Sequence, residues 1–428
     1  MKDYSIKNLR NVGLIGHGAT GKTSLAEALL YYANTTDRLG KIEDGTTVMD
    51  YDQEEKRRGI SLSASMAYFE SGNTKINLVD MPGYFDFQGE VVQGMRAVDV
   101  ATIVVCGVSG VQVGTEKAWD YCNKIKLPRA FFINKLDREN AHFDKTLDEL
   151  KEKFGMSVVP IQYPIGREND FDGIVDIISK TAIKVDKKSL KCENIDIPED
   201  LVDKVDECKQ MLMESIAEND EELLDKYLND GELSDEDLYL GLVKGCAQGE
   251  IAPVLCGSAT KVVGIKSFID NIINCFPSPE YSLSQKAKNL TNNEEVFITV
   301  GDNKPFSAMV FKTIADPFVG KISLFKVITG KVDGDVSVLN SNKEKTEKLN
   351  HLFFMKGKNE THDSMQTTNA PISLNDLVPT IVEAIGEDYT PYGQSVHDFS
   401  ADESRERSVY IRVRDDAYPA VKRFDGVT

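Results

Sequence analysis

Short apolar runs of strand length alternate with helix-like segments from residue 8 to residue 275. This alternation is typical of a doubly wound α/β domain with a mainly parallel sheet. Such sheets bind ligands at the carboxyl ends of their strands, so the polar residues that follow each run are candidate site residues. We predict strands at residues 11–15, 64–70, 75–79, 101–108, 129–133 and 251–256, and helices at residues 24–32, 114–126 and 262–275.

The segment after the first strand is rich in glycine and ends in a lysine and a threonine. It reads G-x-x-x-x-G-K-T, and the strand–loop–helix context makes this pattern indicate a phosphate-binding loop. Backbone N–H groups and the amino end of the helix can surround a phosphate, while the lysine reaches the terminal phosphates and the threonine hydroxyl holds Mg²⁺. A glycine-rich turn without a ligand is the alternative. The predicted binding residues are Gly16, His17, Gly18, Ala19, Thr20, Gly21, Lys22, Thr23 and Ser24.

A second loop begins at Asp80, which follows an apolar strand. A carboxylate at that strand end can position Mg²⁺ directly or through water, together with Thr23. Gly83 allows its backbone N–H to approach the γ-phosphate. Residues 34–63 are polar and lack periodicity, so we interpret them as a mobile nucleotide switch whose Ser61 hydroxyl reaches Mg²⁺.

Two further loops predict which base is bound. The Asp137 carboxylate can accept hydrogen bonds from N1–H and the exocyclic amine of guanine, a pair that adenine lacks. Asn134 supports the loop and base, the Lys135 stem covers the ring, and backbone N–H groups at residues 257–259 meet the guanine carbonyl. The predicted base-binding residues are Asn134, Lys135, Leu136, Asp137, Gly257, Ser258 and Ala259.

The net charge of −19 argues against diffuse binding to nucleic acid, and we expect no DNA partner. Much of the charge lies in residues 193–237, where eighteen Asp and Glu oppose three Lys. This segment is either a solvated helical surface or a docking face for a basic partner. No apolar run approaches membrane-spanning length, and seven dispersed cysteines are typical of reduced thiols, so we expect a cytoplasmic protein without a membrane partner.

These motifs resemble the translational GTPases, and among them elongation factor G. The shared motifs are Gly-His-x-x-x-Gly-Lys-Thr (16–23), Arg-Gly-Ile-Ser (58–61), Asp-x-Pro-Gly-x-x-Asp-Phe (80–87), Asn-Lys-x-Asp (134–137) and Gly-Ser-Ala (257–259). The resemblance implies a ribosome-stimulated GTPase that binds GTP or GDP with Mg²⁺. It adds Met81, Pro82 and Tyr84 to the binding set. It also implies that the partner is the ribosome, through rRNA and through stalk proteins whose basic surfaces an acidic insertion at about 158–250 contacts.

Two positions depart from the family pattern. Family members mostly carry Asp where Ala19 stands and His where Tyr84 stands, as in a divergent group of elongation factor G-like paralogues. The resemblance assigns catalysis to Lys22, Gly83 and Tyr84. Tyrosine can form a hydrogen bond but carries no positive charge at neutral pH, so we expect slow hydrolysis without the ribosome. The alternatives are a GTP-binding switch without efficient hydrolysis, and a truncated or fused product with a working nucleotide domain only.

The domain boundaries follow from changes in pattern. The GTPase domain is predicted at residues 1–280, a linker at 281–304, and a partial translation-factor β-barrel at 305–357, where alternating strands and turn residues begin. Residues 358–428 form an atypical tail without the last barrel strands. The tail is similar to the C-terminal part of sulfatases and the alkaline phosphatase superfamily, or else disordered, and it lacks the sulfatase nucleophile.

Overall fold

The computed structural model describes residues 4–186, 190–282, 285–288, 294–301, 305–316, 320–332, 336–341, 345–349, 351–356, 359–361 and 371–375. The chain divides into two compact units, which are described separately. The first unit comprises residues 8–281, and the second comprises residues 282–428 with the first seven residues.

The first unit contains the main sheet and the α-helices of the described chain. Its strands are β1 (Leu9–Ile15), β2 (Ser65–Ser71), β3 (Thr74–Asp80), β4 (Val100–Cys106), β5 (Arg129–Asn134), β6 (Val158–Pro160), β7 (Gln162–Ile165), β8 (Gly173–Asp176), β9 (Thr181–Val185), β10 (Cys192–Ile195) and β11 (Ala252–Cys256). Its helices are α1 (Lys22–Tyr32), α2 (Gln53–Arg58), α3 (Gln88–Ala97), α4 (Val113–Ile125), α5 (Phe143–Phe154), α6 (Val202–Glu218), α7 (Glu221–Asp230), α8 (Asp235–Gln248) and α9 (Ile265–Asn274).

The main sheet has the strand order β2-β3-β1-β4-β5-β11-β6. All neighbours pair in parallel except β2 and β3, which form an antiparallel hairpin. The residues of β1, β3, β4 and β5 are buried throughout, as expected for strands covered on both faces. The doubly wound prediction is therefore confirmed. The chain leaves β1 toward one edge and β4 toward the other, which creates a crevice at their carboxyl ends.

Two local predictions differ from the structure. Residues 34–63 contain helix α2, although they lack apolar periodicity. The helix is short, and its start and stop signals lie in polar residues: Asp52 and Glu55 form a reciprocal capping box, and Gly59 ends the helix with φ 64°. Residues 158–160, assigned to the insertion from sequence, form β6 and pair in parallel with β11, so they belong to the main sheet.

The insertion after β6 combines an antiparallel sheet with helices. Strands β7 to β10 pair in the order β10-β9-β8-β7, and α6, α7 and α8 follow. Asp220 and Ser234 cap the amino ends of α7 and α8, and each first turn carries further acidic residues. Acidic side chains at these positions interact favourably with the helix dipole, so part of the negative charge serves helix formation.

Between residues 285 and 375, the secondary structure of the second unit consists of strands in its described part. They are β12 (Gln285–Lys288), β13 (Glu295–Ile298), β14 (Ser307–Asp316), β15 (Gly320–Thr329), β16 (Val336–Asn340), β17 (Lys345–Leu349), β18 (His351–Lys356), β19 (Asn359–Thr361) and β20 (Pro371–Asn375). A five-stranded sheet has the order β14-β15-β20-β18-β19, beside the pairs β12-β13 and β16-β17.

The expectation that this sheet gains no strand after Gly357 is wrong. β20 pairs antiparallel with both β15 and β18, so its backbone fills the position between them. Five residues are too few for periodicity to separate a strand from a helix, so only pairing with distant strands decides. Of the predicted tail, residues 358, 362–370 and 376–428 lie outside the described residues.

Candidate functional site

The loop after β1 has the strained backbone that its glycines permit. Gly16 has φ 142° and Gly21 has φ 92°. A Cβ on Gly16 would lie 2.5 Å from the Val104 carbonyl oxygen, and one on Gly21 would lie 2.5 Å from Asn134 Nδ2. Both glycines are therefore required by close packing as well as by conformation. Ala19, at the exposed apex, also has a positive φ of 60°.

Lys22 begins helix α1 and its ammonium group lies inside this loop. Its Nζ donates to the carbonyl oxygens of Gly16 (3.1 Å) and His17 (2.8 Å). Burial lowers the pKa of Lys22, and the carboxylates of Asp80 and Asp50 oppose this decrease. The lysine is thus a buried positive charge at the centre of the loop, held ready for an anionic ligand.

The three residues predicted to hold a metal lie together. Thr23 Oγ1 donates to Asp80 Oδ2 at 2.6 Å and lies 3.0 Å from Ser61 Oγ. Asp80 is buried, and its Oδ1 has no hydrogen-bond partner in the described part of the chain. Burial raises the pKa of Asp80 and Asp50 raises it further, whereas Thr23 and Lys22 act in the opposite direction. A divalent cation fits this arrangement, because it would satisfy the unpaired oxygen.

Asp50 is the site residue that sequence reasoning missed. Burial raises its pKa to about 6, Glu55 adds to the increase, and Ser61 and Lys22 oppose it. Neither carboxylate oxygen has a hydrogen-bond partner of good geometry among the described residues. In the sequence, Asp50 is one acidic residue in a polar segment, eleven residues before Ser61. Nothing there distinguishes it, because only the fold brings it near Asp80.

Asn134 connects three of the predicted loops. Its Nδ2 donates to the Thr20 carbonyl oxygen at 3.0 Å, and its Oδ1 accepts from the Ala259 N–H at 3.0 Å. Lys135 Nζ donates to the Ala19 carbonyl oxygen at 2.7 Å, which adds a second link to the glycine-rich loop. The loops at the ends of β1, β5 and β11 are therefore fixed to each other by hydrogen bonds, those of Asn134 being buried.

Asp137 lies beside this connection and is buried. Its Oδ1 has no hydrogen-bond partner in the region that the structure describes, and its Oδ2 lies 3.9 Å from Arg138 Nε. Leaving a buried carboxylate oxygen unpaired is costly, so such an atom indicates a ligand that donates to it.

The loop after β11 is held by its own backbone. Ser258 N–H donates to the Val263 carbonyl oxygen and the reverse bond is also formed, while Ser258 Oγ accepts from Lys261 N–H. A Cβ on Gly257 would lie 2.6 Å from the Val263 carbonyl oxygen. The Ala259 N–H, one of the donors expected to face the base, is already occupied by Asn134.

Glu55 on α2 anchors the segment that carries Ser61. Its Oε1 accepts from the N–H groups of Leu62 and Ser63, and its Oε2 accepts from Asp52 N–H. The Glu27 carboxylate holds the other end of the segment through Val48 and Met49 N–H. Residues 48–63 are therefore tied to the site at two points.

We expect Glu55→Ala to release residues 59–63, because three backbone donors lose their acceptor. Limited proteolysis should cut this segment about tenfold faster, which corresponds to a loss of about 1.4 kcal/mol of local stability. Glu54→Ala is the matched control. In the described structure, Glu54 forms exposed ion pairs with Arg57 and Arg58. Equal cleavage rates in both variants would contradict the anchoring role.

Comparisons with known proteins agree with this geometry. Residues 7–278 match the model of the elongation factor Tu GTP binding domain, and residues 305–384 match elongation factor G domain 2. A crystal structure of a Thermus thermophilus protein superposes with a TM-score of 0.76 at 27% sequence identity. The match covers 87% of this chain and 53% of that one, so the chain spans about half the length of that protein.

The second match corrects a boundary drawn from sequence. It continues past Gly357, where the resemblance to the family was expected to stop, and it includes β20. The sulfatase-like segment at residues 370–381 lies within this match. The first match spans well over half of the chain and contains all five loops of the site. The chain therefore belongs to the elongation factor Tu GTP-binding domain family, the translational GTPases.

Proposed function

We propose that this chain binds GTP and GDP with Mg²⁺ in the site described above and hydrolyses GTP at ribosomes in the cytoplasm. One observation carries the proposal: buried Asp137 has an Oδ1 without a partner among the described residues, beside loops that Asn134 holds together. Guanine offers two adjacent donors to such a carboxylate, and adenine does not.

The phosphates would lie in the loop of residues 16–23, with Lys22 as their main cation. Mg²⁺ would be held by Thr23, Ser61 and Asp80, and the Asp50 carboxylate near Asp80 would add negative charge beside the ion. One carboxylate with two hydroxyls suits Mg²⁺, because this ion keeps several waters and phosphate ligands. When bound, Mg²⁺ supplies charge neutralisation at the phosphates.

Catalysis would rest on Lys22, Gly83 and Tyr84. The Gly83 N–H would donate to the γ-phosphate, and the Tyr84 hydroxyl would orient the attacking water through a hydrogen bond. A tyrosine carries no positive charge at neutral pH, so it stabilises the developing negative charge less than a protonated histidine does. We therefore infer slow intrinsic hydrolysis that the ribosome accelerates.

The insertion supports a docking role for the acidic face. Leu228 is 72% exposed and Leu224 is 37% exposed on α7, among acidic residues of the same helix. Exposed leucines within an acidic surface suit a partner that is basic and partly apolar, as in the resemblance to elongation factor G. We propose that α7 contacts ribosomal stalk proteins.

The test is phosphate release from GTP with and without ribosomes, for the parent chain, Tyr84→His and Tyr84→Phe. We expect ribosomes to stimulate the parent, Tyr84→Phe to lose most of that stimulation, and Tyr84→His to exceed the parent. If the parent binds GTP but ribosomes do not stimulate its hydrolysis, the second candidate, a GTP-binding switch, is favoured. The observation behind this candidate is that Tyr84 stands where family members mostly carry His.

A further inference from the structure

Residues 83–85 lie directly against the glycine-rich loop. A Cβ on Gly83 would meet Lys22 Nζ and would lie 2.7 Å from the His17 carbonyl oxygen and 2.8 Å from Gly18 N. The Gly83 backbone therefore fills the space immediately beside the buried ammonium group.

The Tyr84 ring packs on the outside of the same loop. Three of its ring carbons lie 3.2 to 3.3 Å from the position that a Cβ on Gly18 would occupy. The side chain is nevertheless 44% exposed. The ring therefore lies against Gly18 without being buried in a core.

Phe85 is held by a different pair of residues. Lys117 Nζ lies 3.9 Å from the centre of its ring, and the His17 ring meets it edge-on at 6.0 Å between ring centres. Both arrangements are attractive for an aromatic ring. Phe85 is also 42% exposed, so the two exposed aromatic residues attach one short segment to the loop and to α4.

We propose that Tyr84 and Phe85 form an aromatic latch that makes this site favour GDP over GTP. The proposal rests on the proposed function, since it requires a guanine nucleotide. The lysine of such a loop contacts the terminal phosphates of a triphosphate, and Gly83 lies where the last phosphate needs room. GTP must displace residues 83–85 and break the latch, whereas GDP has no phosphate at that point.

A ligand shifts a conformational equilibrium only by its difference in affinity for the two states. The free energy needed to open the latch is therefore subtracted from GTP binding and not from GDP binding. Weakening the latch should bring the two affinities closer, chiefly by tightening GTP binding. Because both side chains are exposed, their replacement leaves the buried core intact.

The test is the ratio of dissociation constants for a non-hydrolysable GTP analogue and for GDP, measured with Mg²⁺. Tyr84→Ala and Phe85→Leu should each lower this ratio about three- to tenfold, from the loss of ring contacts. Phe85→Tyr keeps an aromatic face for Lys117 and should change the ratio less than about twofold.

Unchanged ratios in Tyr84→Ala and Phe85→Leu, with both nucleotides still bound, would overturn the latch and leave the proposed function standing. Failure of the parent chain to bind either nucleotide would overturn both. A lower ratio that arises from weaker GDP binding alone would also contradict the latch, because the latch acts against the γ-phosphate.

Discussion

Asp137→Asn is expected to weaken GTP binding about a thousandfold. The variant loses one charge-assisted acceptor, and its amide NH₂ group would face the exocyclic amine of guanine, which is also a donor. In the parent, the Oδ1 of this buried carboxylate, unpaired within the described structure, is the atom that a guanine edge would satisfy. The asparagine amide offers one acceptor and one donor. Xanthine carries a carbonyl where guanine carries the amine, so the variant should prefer xanthosine triphosphate.

Competition binding with the two triphosphates measures this change. Arg138→Ala is the matched control, because it removes the ion pair that the structure gives for Asp137 and leaves the carboxylate in place. We expect this control to bind GTP within about threefold of the parent, as for an exposed ion pair. Equal losses in the two variants, or no gain of xanthosine triphosphate binding by Asp137→Asn, would argue against base recognition by this residue.

Removing Mg²⁺ with a chelator is expected to weaken GTP binding about a hundredfold in the parent, since the ion offsets phosphate charge beside two carboxylates. Asp80→Asn should reduce this dependence to a few-fold at most. Asp80 is buried, and one of its oxygens accepts from Thr23 while the other is unpaired in the described structure. The amide analogue loses the negative charge and has a single oxygen to serve both Thr23 and a cation.

Asp99→Asn provides the control for this second prediction. Asp99 is also buried and accepts from Asn11 Nδ2 at 2.7 Å, but it lies outside the nucleotide loops. Its variant should keep the full dependence on Mg²⁺, and thermal unfolding without nucleotide reports any loss of stability. A parent protein whose GTP affinity is the same with Mg²⁺ and with chelator would contradict the proposed metal site.

The main sheet and the five loops could be predicted from sequence for a physical reason. Apolar runs mark buried parallel strands, and the residues that follow each run must meet at one edge of the sheet. The convergence of Thr23 and Asp80 follows from this rule. Ser61 lies before β2, and the antiparallel direction of β2 brings it to the same edge of the sheet. The bridging role of Asn134 was predicted only as support for a loop, because its two partners are distant in sequence.

The missed features depend on contacts that periodicity does not encode. Glu55 looks like one acid among several in a polar stretch, yet it holds Leu62 and Ser63. Asp50 is recognised as a site residue only from its proximity to Asp80 and Lys22 in the fold. β20 is a five-residue stretch whose pairing with β15 reaches far back in the chain. In each case the residue itself is known from the sequence, but only the fold shows which distant residues it contacts.

The most direct measurement is equilibrium binding of GTP, GDP and ATP to the parent chain with Mg²⁺. We predict that both guanine nucleotides bind and that ATP binds at least about a hundredfold more weakly, because adenine leaves the Asp137 carboxylate unpaired. Equal binding of ATP and GTP, or binding of neither guanine nucleotide, would contradict the account of this site.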